Sequence, residues 1–481
     1  MQNCNNFQIH IETLGCRLNQ IESESIAAAF IKEQFTVSME SITSNSLENK
    51  EILLCIINTC TVTQKAEQKA RRIIRLFLKK YSNTIVIVTG CYAQLAASQI
   101  EKMDKRICAV GGQIKSRLAD LPLLLRDFLN ENEKWSYQAF LEVIRQKILV
   151  PAQITAFKPE NSFRLATSSF LAHSRASLKI QDGCNSNCSY CAIHIARGKS
   201  VSIDVPLALE RVRELEDKGN EEVVITTVNI SQYKSEYDGK IYDFTALLEY
   251  LLENTKTINF RISSLYPQVV DEKFCRVIAN SRVRPHFHIS VQSGSNTILA
   301  LMNRAYKADD VRMACKMLRQ ARPDCFLACD IITGFPGESD EDFLQTMQLL
   351  SDCDFTWVHA FPFSERPGTP ACSLKNKVPQ AVSGERCKKI NEWAVENKIS
   401  YLNNMIGKKY YAILENARRP SVFGSSVFIY HAVTENFIHC EIQSSENLPL
   451  GKSITIEITG ILSDRIKKGG ESEVSAKIIY D

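Results

Sequence analysis

Three cysteines, Cys184, Cys188 and Cys191, fall in one short stretch with the spacing C-x3-C-x2-C. That spacing lets a single loop offer three thiolates to one metal centre. So close a set cannot all pair as disulfides, and a mononuclear zinc site would want a fourth Cys or His that the neighbouring sequence does not supply. A cubane iron–sulfur cluster satisfies the pattern. It has four irons, so three thiolates leave one iron open to bind something other than protein.

A second set of thiols is spread through the first hundred residues. Thr13-Leu14-Gly15-Cys16, Asn58-Thr59-Cys60 and Thr89-Gly90-Cys91 each place a cysteine just past the end of an apolar run. The runs are Phe7 to Leu14, Glu51 to Asn58 and Thr84 to Thr89, separated by helix-like stretches, which is the alternation of a parallel α/β sheet. Ligands of open α/β sheets gather at the carboxyl ends of the strands. Three thiols therefore converge from three loops, and Gly15 and Gly90 permit close backbone approach. The same logic as before gives a second three-cysteine cluster with one iron unclaimed. Lys65 to Lys80 follows as an amphipathic helix, apolar at Ala66, Ala70, Ile73, Ile74 and Phe77 and basic at Lys65, Lys69, Arg72, Arg75 and Lys79. Its basic side is open to two readings, an RNA-phosphate contact or a solvated outer face.

The elements that must position the first loop come next. Arg175 to Ile180 reads as a strand that delivers Gln181-Asp182-Gly183 and the cysteines at its carboxyl end. Further strand-like runs follow at Glu222 to Thr226, Ile258 to Ser263, Phe287 to Val291, Phe326 to Ile332 and Trp357 to Phe361, with amphipathic helices between them. Six such units suggest a partial (β/α) barrel, whose active site lies at the carboxyl ends of its strands. His286 and His288 share one strand face and read as barrel-lining residues. Beyond Met405 the pattern shortens to five alternating strands, Lys409 to Leu414, Val427 to Val433, Phe437 to Ile442, Ser453 to Ile461 and Val474 to Ile479, which suggest a small β-barrel. Acidic and basic residues balance there, so Arg418, Arg419, Arg465, Lys467 and Lys468 stand only as local candidates for phosphate contact. The expected organisation is an α/β chain: an open parallel domain at 5–125, a linker at 126–173 carrying a helix from Tyr137 to Ile148 and the prolines Pro151 and Pro159, a partial barrel at 174–402, and a small β-barrel at 405–472.

The 481 residues carry a net charge of +4, too small to argue nucleic-acid binding without local patches. Seventeen cysteines with no secretory leader point to metal or thiolate chemistry rather than a disulfide framework. Gln2 to Asn6 form neither a basic nor an apolar leader, and no apolar run is long enough to span a bilayer, so a cytoplasmic protein without membrane contact is expected.

The loop Cys184-x3-Cys188-x2-Cys191, with Tyr190 before its last thiol, resembles the signature of radical S-adenosylmethionine (SAM) enzymes. The amino-terminal stretch resembles that of the methylthiotransferases within that group, and Cys16, Cys60 and Cys91 match its cysteines one by one. Gly15-Cys16-Arg17-Leu18-Asn19-Gln20-Ile21-Glu22-Ser23 is similar to the branch that acts on N6-threonylcarbamoyladenosine in tRNA. The resemblance implies two [4Fe–4S] clusters, held by Cys184, Cys188 and Cys191 and by Cys16, Cys60 and Cys91, with SAM on the open iron of the first. It further implies SAM contacts from Glu221 or Glu222 to the amino group, from Ser290 and Gln292 on the ribose side, and from Asp330 and Gly334 beside the adenosyl group. Met302-Asn303-Arg304 and Arg366-Pro367-Gly368-Thr369 match family stretches as well, and the carboxyl-terminal barrel resembles the TRAM module that binds RNA. The implied activity is methylthiolation at C2 of N6-threonylcarbamoyladenosine beside the anticodon. The implied partners are tRNA and an electron donor such as flavodoxin or ferredoxin. Isopentenyladenosine in tRNA or a ribosomal protein is the alternative substrate, and a non-catalytic iron–sulfur RNA-binding or redox-sensing protein the alternative class. Where the family usually has a proline after its last cysteine, this chain runs Ala192-Ile193-His194-Ile195-Ala196 before Arg197-Gly198. Thr227 and Phe363 depart likewise from a common glycine and tyrosine. None of these removes a cluster ligand.

Overall fold

The computed structural model describes residues 7–46, 52–132, 136–149, 163–171, 174–418 and 427–480. Pro151, Pro159 and Arg419 lie outside the described residues. The chain divides into two compact units. One comprises Met1–Ala172 with Lys179–Ile203 and Ser364–Thr369, and the other His173–Leu178, Asp204–Phe363 and Pro370–Asp481. The cysteine loop at 184–191 thus falls in the same unit as the amino-terminal segment, whereas the sequence alone groups it with the barrel that follows.

The first unit is built on β1 (Gln8–Thr13), α1 (Arg17–Lys32), β2 (Thr36–Ser38), β3 (Ile52–Thr59), α2 (Gln64–Lys80), β4 (Ile85–Gly90), α3 (Cys91–Glu101) and β5 (Ile107–Gly111). The strands pair in the order β2-β1-β3-β4-β5, all parallel. Every residue of β3 and β4 is buried, as in parallel strands covered on both faces. Alternate residues of β3 serve opposite cores. Leu54 and Ile56 pack with Phe30, Leu121, Leu125 and Phe140, while Cys55 and Ile57 pack with Ile73, Ile74 and Phe77 of α2. Thr63 caps α2 by accepting from the Ala66 N–H at 3.1 Å. The chain extends the sheet one way from β1 and the other way from β3, which makes the β1/β3 boundary a topological switch point. The linker helix spans Tyr137–Ile144 and ends in a π-turn at Arg145–Leu149.

In the second unit, a three-stranded sheet of order Asn259–Ile262, Glu222–Thr226, Ala176–Lys179 is followed by a parallel four-stranded sheet of order Ser264–Leu265, His286–Gln292, Phe326–Thr333, Trp357–Pro362. The expected strand ending at Ser263 breaks there, and its continuation joins the second sheet. Five further strands, Lys409–Arg418, Phe428–Thr434, His439–Ser444, Val474–Ile478 and Ser453–Ile461, close into a barrel around Tyr430, Ile438, Ile442, Ile456 and Ile458, and the barrel runs past the expected end at 472. Leu402, near the end of helix Gln380–Asn403, packs into the same core. The barrel is keyed to the sheets by Arg261, which donates to the carbonyls of Thr434 and Glu435 at 3.1 Å, and by His286, which stacks on Phe437 with ring centroids 4.1 Å apart.

Candidate active site

In the first unit, Cys16, Cys60 and Cys91 follow β1, β3 and β4, three adjacent strands at the switch point. Glycine makes their approach possible. Gly15 has φ +113°, and a Cβ there would lie 2.5 Å from Cys60 Cβ; Gly90 has φ +94°, and a Cβ there would lie 2.3 Å from the Thr59 carbonyl oxygen. Side-chain hydrogen bonds tie the same loops together. Asn19 Nδ2 donates to the carbonyls of Leu14 and Thr59 at 2.8 and 3.2 Å, Asn58 Nδ2 donates to the Asn19 carbonyl at 3.0 Å, and Thr59 Oγ1 donates to the Thr89 carbonyl at 2.6 Å. Cys60 and Cys91 are buried and Cys16 is exposed. Burial pushes the Cys60 thiol up to about 12, and the neighbouring Cys16 and Cys91 oppose its ionisation further.

The 184–191 loop, in the same unit, springs from a two-stranded ribbon that pairs Gln181–Asp182 with Val201–Ser202. Gly183 has φ +69°, and a Cβ there would lie 2.0 Å from the Lys199 carbonyl oxygen. The Cys184 N–H donates to the Gly198 carbonyl at 3.0 Å, and Gln181 Nε2 donates to the Gly183 carbonyl and to Ser200 Oγ, both at 2.8 Å. Tyr190 sits half-buried within the loop. Ile193–Arg197, the stretch that lacks the proline expected from the resemblance, forms a helix, and Gln113 Nε2 secures it by donating to the Ile195 carbonyl at 3.0 Å.

Both loops fit iron–sulfur clusters. Backbone N–H groups two residues on point at the sulfurs, Val62 at Cys60 (3.5 Å), Ser186 at Cys184 (3.4 Å) and Ile193 at Cys191 (3.5 Å), the kind of hydrogen bond that tunes cluster sulfurs. The glycine cradles at 15, 90 and 183 leave no room for a side chain. Coordination would convert the buried Cys60 and Cys91 thiols, which burial makes resist ionisation, into thiolates.

Sequence reasoning passed over a buried ionic cluster in this unit: Glu22, Lys115, Lys179, Asp182 and Arg197. One signal for it existed, since Glu22 falls four residues from both Leu18 and Ile26 on the apolar side of α1. Burial alone would raise the Glu22 carboxyl, but Lys115, Arg197 and Lys179 hold it down to about 2. Arg366, in a stretch matching the family, donates to the Thr61 carbonyl at 3.0 Å and to Glu67 at 2.7 Å, beside Cys60.

In the second unit, Ser290 and Gln292 close strand His286–Gln292, and Asp330 and Gly334 lie in and just past strand Phe326–Thr333. Pairing between these strands shifts register between Ile289 and Gln292, and Gln292 takes φ +70°, a bulge that re-aims its side chain. The Ser290 carbonyl accepts from Arg304 Nη2 at 3.3 Å, and the guanidinium lies 4.6 Å from the Tyr266 ring centroid. Asp330 meets His288 Nε2 at 3.0 Å, which lowers its carboxyl against the effect of burial. Gly334, at φ +70°, would bring a Cβ 2.4 Å from Ser383, and its N–H donates to Glu338 at 2.6 Å.

Glu221 and Glu222 are not brought to that end. They precede and open strand Glu222–Thr226, and their carboxylates are occupied. Glu222 accepts from Arg261 at 2.7 and 2.9 Å and from Arg284 at 3.1 Å, with Arg175 at 3.6 Å. Glu221 accepts from the Ser453 N–H of the barrel at 2.8 Å. Within the barrel, Glu415, His431 and His439 come close enough to ligate a metal, but Arg175 Nε already donates to Glu415 at 2.7 Å.

Residues 178–350 match the model of the radical SAM superfamily, and residues 8–112 match an uncharacterized protein family, UPF0004. A solved radical SAM methyltransferase from Kitasatospora setae, TsrM, with cobalamin and a [4Fe–4S] cluster bound, shares the fold at a TM-score of 0.50 and 13% identity, with 76% of each chain covered. The fold and the cysteine loop are those of a radical SAM enzyme. The chain is 42% identical to the threonylcarbamoyladenosine tRNA methylthiotransferase MtaB of Treponema pallidum, over 91% of this chain and 94% of that one. It is 33% identical to the MtaB of Rickettsia prowazekii, over 95% and 96%. A tRNA-2-methylthio-N(6)-dimethylallyladenosine synthase of Bordetella avium is 30% identical, over 86% and 82%. The chain belongs to the methylthiotransferase family of radical SAM enzymes, whose cofactors are [4Fe–4S] clusters and SAM.

Proposed function

We propose that this enzyme transfers a methylthio group to C2 of N6-threonylcarbamoyladenosine beside the anticodon of tRNA. The carrying observation is that two cysteine triads, each cradled by glycine and each met by a backbone N–H at one or more of its sulfurs, occupy one compact unit. Cys184, Cys188 and Cys191 would hold the SAM-binding cluster, and Cys16, Cys60 and Cys91 the second. When bound, the first cluster and SAM supply the hydrogen-abstracting radical, and the second supplies the sulfur that an unactivated aromatic carbon requires. The full-length likeness to relatives named for threonylcarbamoyladenosine supports the choice of nucleoside.

The chain's own residues divide the remaining work. Tyr190, Ser290, Gln292, Asp330 and Gly334 are the SAM-contacting candidates, Asp330 held in place by His288. Glu221 and Glu222 are left out of that set because arginines and the barrel already engage them. On α2, Lys65, Lys69, Arg72, Arg75 and Lys79 are all exposed and offer a phosphate-binding face. Reducing equivalents come from a donor such as flavodoxin or ferredoxin, and a tRNA substrate places the work in the cytoplasm; no described helix is long and apolar enough to cross a membrane.

The test is mass spectrometry of tRNA nucleosides from cells with and without this protein. Loss of the 2-methylthio form of threonylcarbamoyladenosine on deletion, with return on complementation, is the expected result. An unchanged level of that nucleoside, with loss of the methylthio isopentenyl form instead, would overturn the substrate assignment.

A further inference from the structure

The buried cluster beside the cysteines has an imbalance of charge. Lys115, Lys179 and Arg197 supply three cations, whereas Glu22 and Asp182 supply two anions. Glu22 is fully buried and is met by Lys115 Nζ, by Lys179 Nζ at 3.3 Å and by Arg197 Nη1 at 3.3 Å. Asp182 takes Arg197 Nη1 at 2.9 Å and Lys179 Nζ at 3.1 Å. Every cation meets a carboxylate, but three cations against two anions leave these side chains with a net charge of +1, none of them more than 13% exposed. A charge taken out of water needs a counter-charge near by.

The connections from Arg197 lead to both cysteine sets. Its Nη2 donates to Asn19 Oδ1 at 2.8 Å, and Asn19 in turn holds the Leu14 and Thr59 carbonyls, the residues that lead into Gly15-Cys16 and Cys60. On the other side Asp182 Oδ1, which receives Arg197, also accepts the Gly183 N–H at 2.8 Å, at the entrance to the Cys184 loop. A [4Fe–4S] cluster on three thiolates carries one net negative charge when oxidised and two when reduced. Such a group answers the excess cation, and answers it better after taking up an electron.

We propose that Arg197 is a positioning residue for the Cys16–Cys60–Cys91 cluster, its fixed charge and its hydrogen bond to Asn19 raising that cluster's reduction potential and locking its loop to the Cys184 loop. This rests on the reading that the amino-terminal triad holds a cluster.

The test uses the full-length chain with Cys184, Cys188 and Cys191 replaced by alanine, reconstituted with iron and sulfide and titrated with dithionite while the reduced cluster is read by electron paramagnetic resonance. Arg197→Gln should make reduction about tenfold less favourable, a fall of about 59 mV for one electron. Arg197→Lys keeps the charge and should stay near the parent value. Should Arg197→Gln fail to load iron, neighbouring charges decide: Lys115→Met should lower the potential, Glu22→Gln should raise it, and the double variant should return towards the parent. Equal shifts in Arg197→Gln and Arg197→Lys, or shifts of the same sign in Lys115→Met and Glu22→Gln, would overturn the proposal. A folded parent that binds no iron would instead overturn the two-cluster reading on which it rests.

Discussion

Gly15 and Cys60 touch backbone to side chain: a Cβ at position 15 would lie 2.5 Å from Cys60 Cβ and 3.1 Å from its sulfur. The contact brings the loop after β1 onto the end of β3, and it exists only because position 15 has no side chain and can take φ +113°. Gly15→Ala is therefore expected to push Cys16 away from Cys60 while leaving the Cys184 loop intact. Iron per chain after reconstitution should fall by about half, because one of two clusters is lost, and SAM cleavage under dithionite should persist. Full iron content in a folded Gly15→Ala protein would contradict this geometry.

The two triads should separate by what their loss removes. Cys184→Ala is expected to abolish formation of 5′-deoxyadenosine from SAM under reducing conditions, measured by liquid chromatography. Cys60→Ala is expected to keep that activity and to yield no methylthiolated nucleoside in tRNA. Persistent SAM cleavage in a Cys184→Ala protein shown to lack that cluster would count against the assignment.

The placement of Cys16, Cys60 and Cys91 after three adjacent strands was legible in the sequence because each cysteine ends an apolar run, and such patterns are local. The closed carboxyl-terminal barrel was legible as five strands, but the pairing of His439–Ser444 with Val474–Ile478 was not, since those strands are parallel and separated by Ser453–Ile461. The charge cluster escaped because its members come from α1, the turn after β5, the 179–182 segment and the helix after the cysteine loop. No spacing rule joins them. Resemblance alone points Glu221 and Glu222 at the SAM amino group, and the arginines that engage Glu222, namely Arg261, Arg284 and Arg175, are invisible until the strands assemble.

Those arginines give Glu222 a structural role that can be measured. Burial would raise its carboxyl, but Arg261, Arg175 and Arg284 hold it down to about 2 from an ordinary 4.5. The group contributes stability that is complete above the ordinary value and is lost as pH falls towards 2. Glu222→Gln takes the carboxylate from the buried Arg261, while Arg175 and Arg284 keep Glu415 and Glu435, and should cost about 3–5 kcal/mol at pH 7, read by urea unfolding, with a smaller difference from the wild type near pH 3. The dissociation constant for SAM, measured below the denaturation threshold, should not change. A selective loss of SAM affinity without loss of stability would return Glu222 to the active site.

His439 sets a second pH dependence, in the barrel. Burial, and then the neighbouring His431, push its ring down to about 3, while Glu415 pulls the other way and Lys398 and Arg175 add positive charge. His439 Nδ1 lies 3.2 Å from His431 Nε2, and His431 Nδ1 lies 3.3 Å from Glu415, so the two rings and the carboxylate are packed in a row. The unfolded chain takes up a proton near pH 6.5 and the folded chain does not until about 3. Stability is thus full above 6.5 and declines as the pH drops below it, by about 1.4 kcal/mol per pH unit for one such histidine. Urea unfolding at pH 7, 6 and 5 should show this slope in the wild type and a slope shallower by one proton in His439→Gln. Parallel curves for the two proteins would mean that the ring already titrates in the folded barrel.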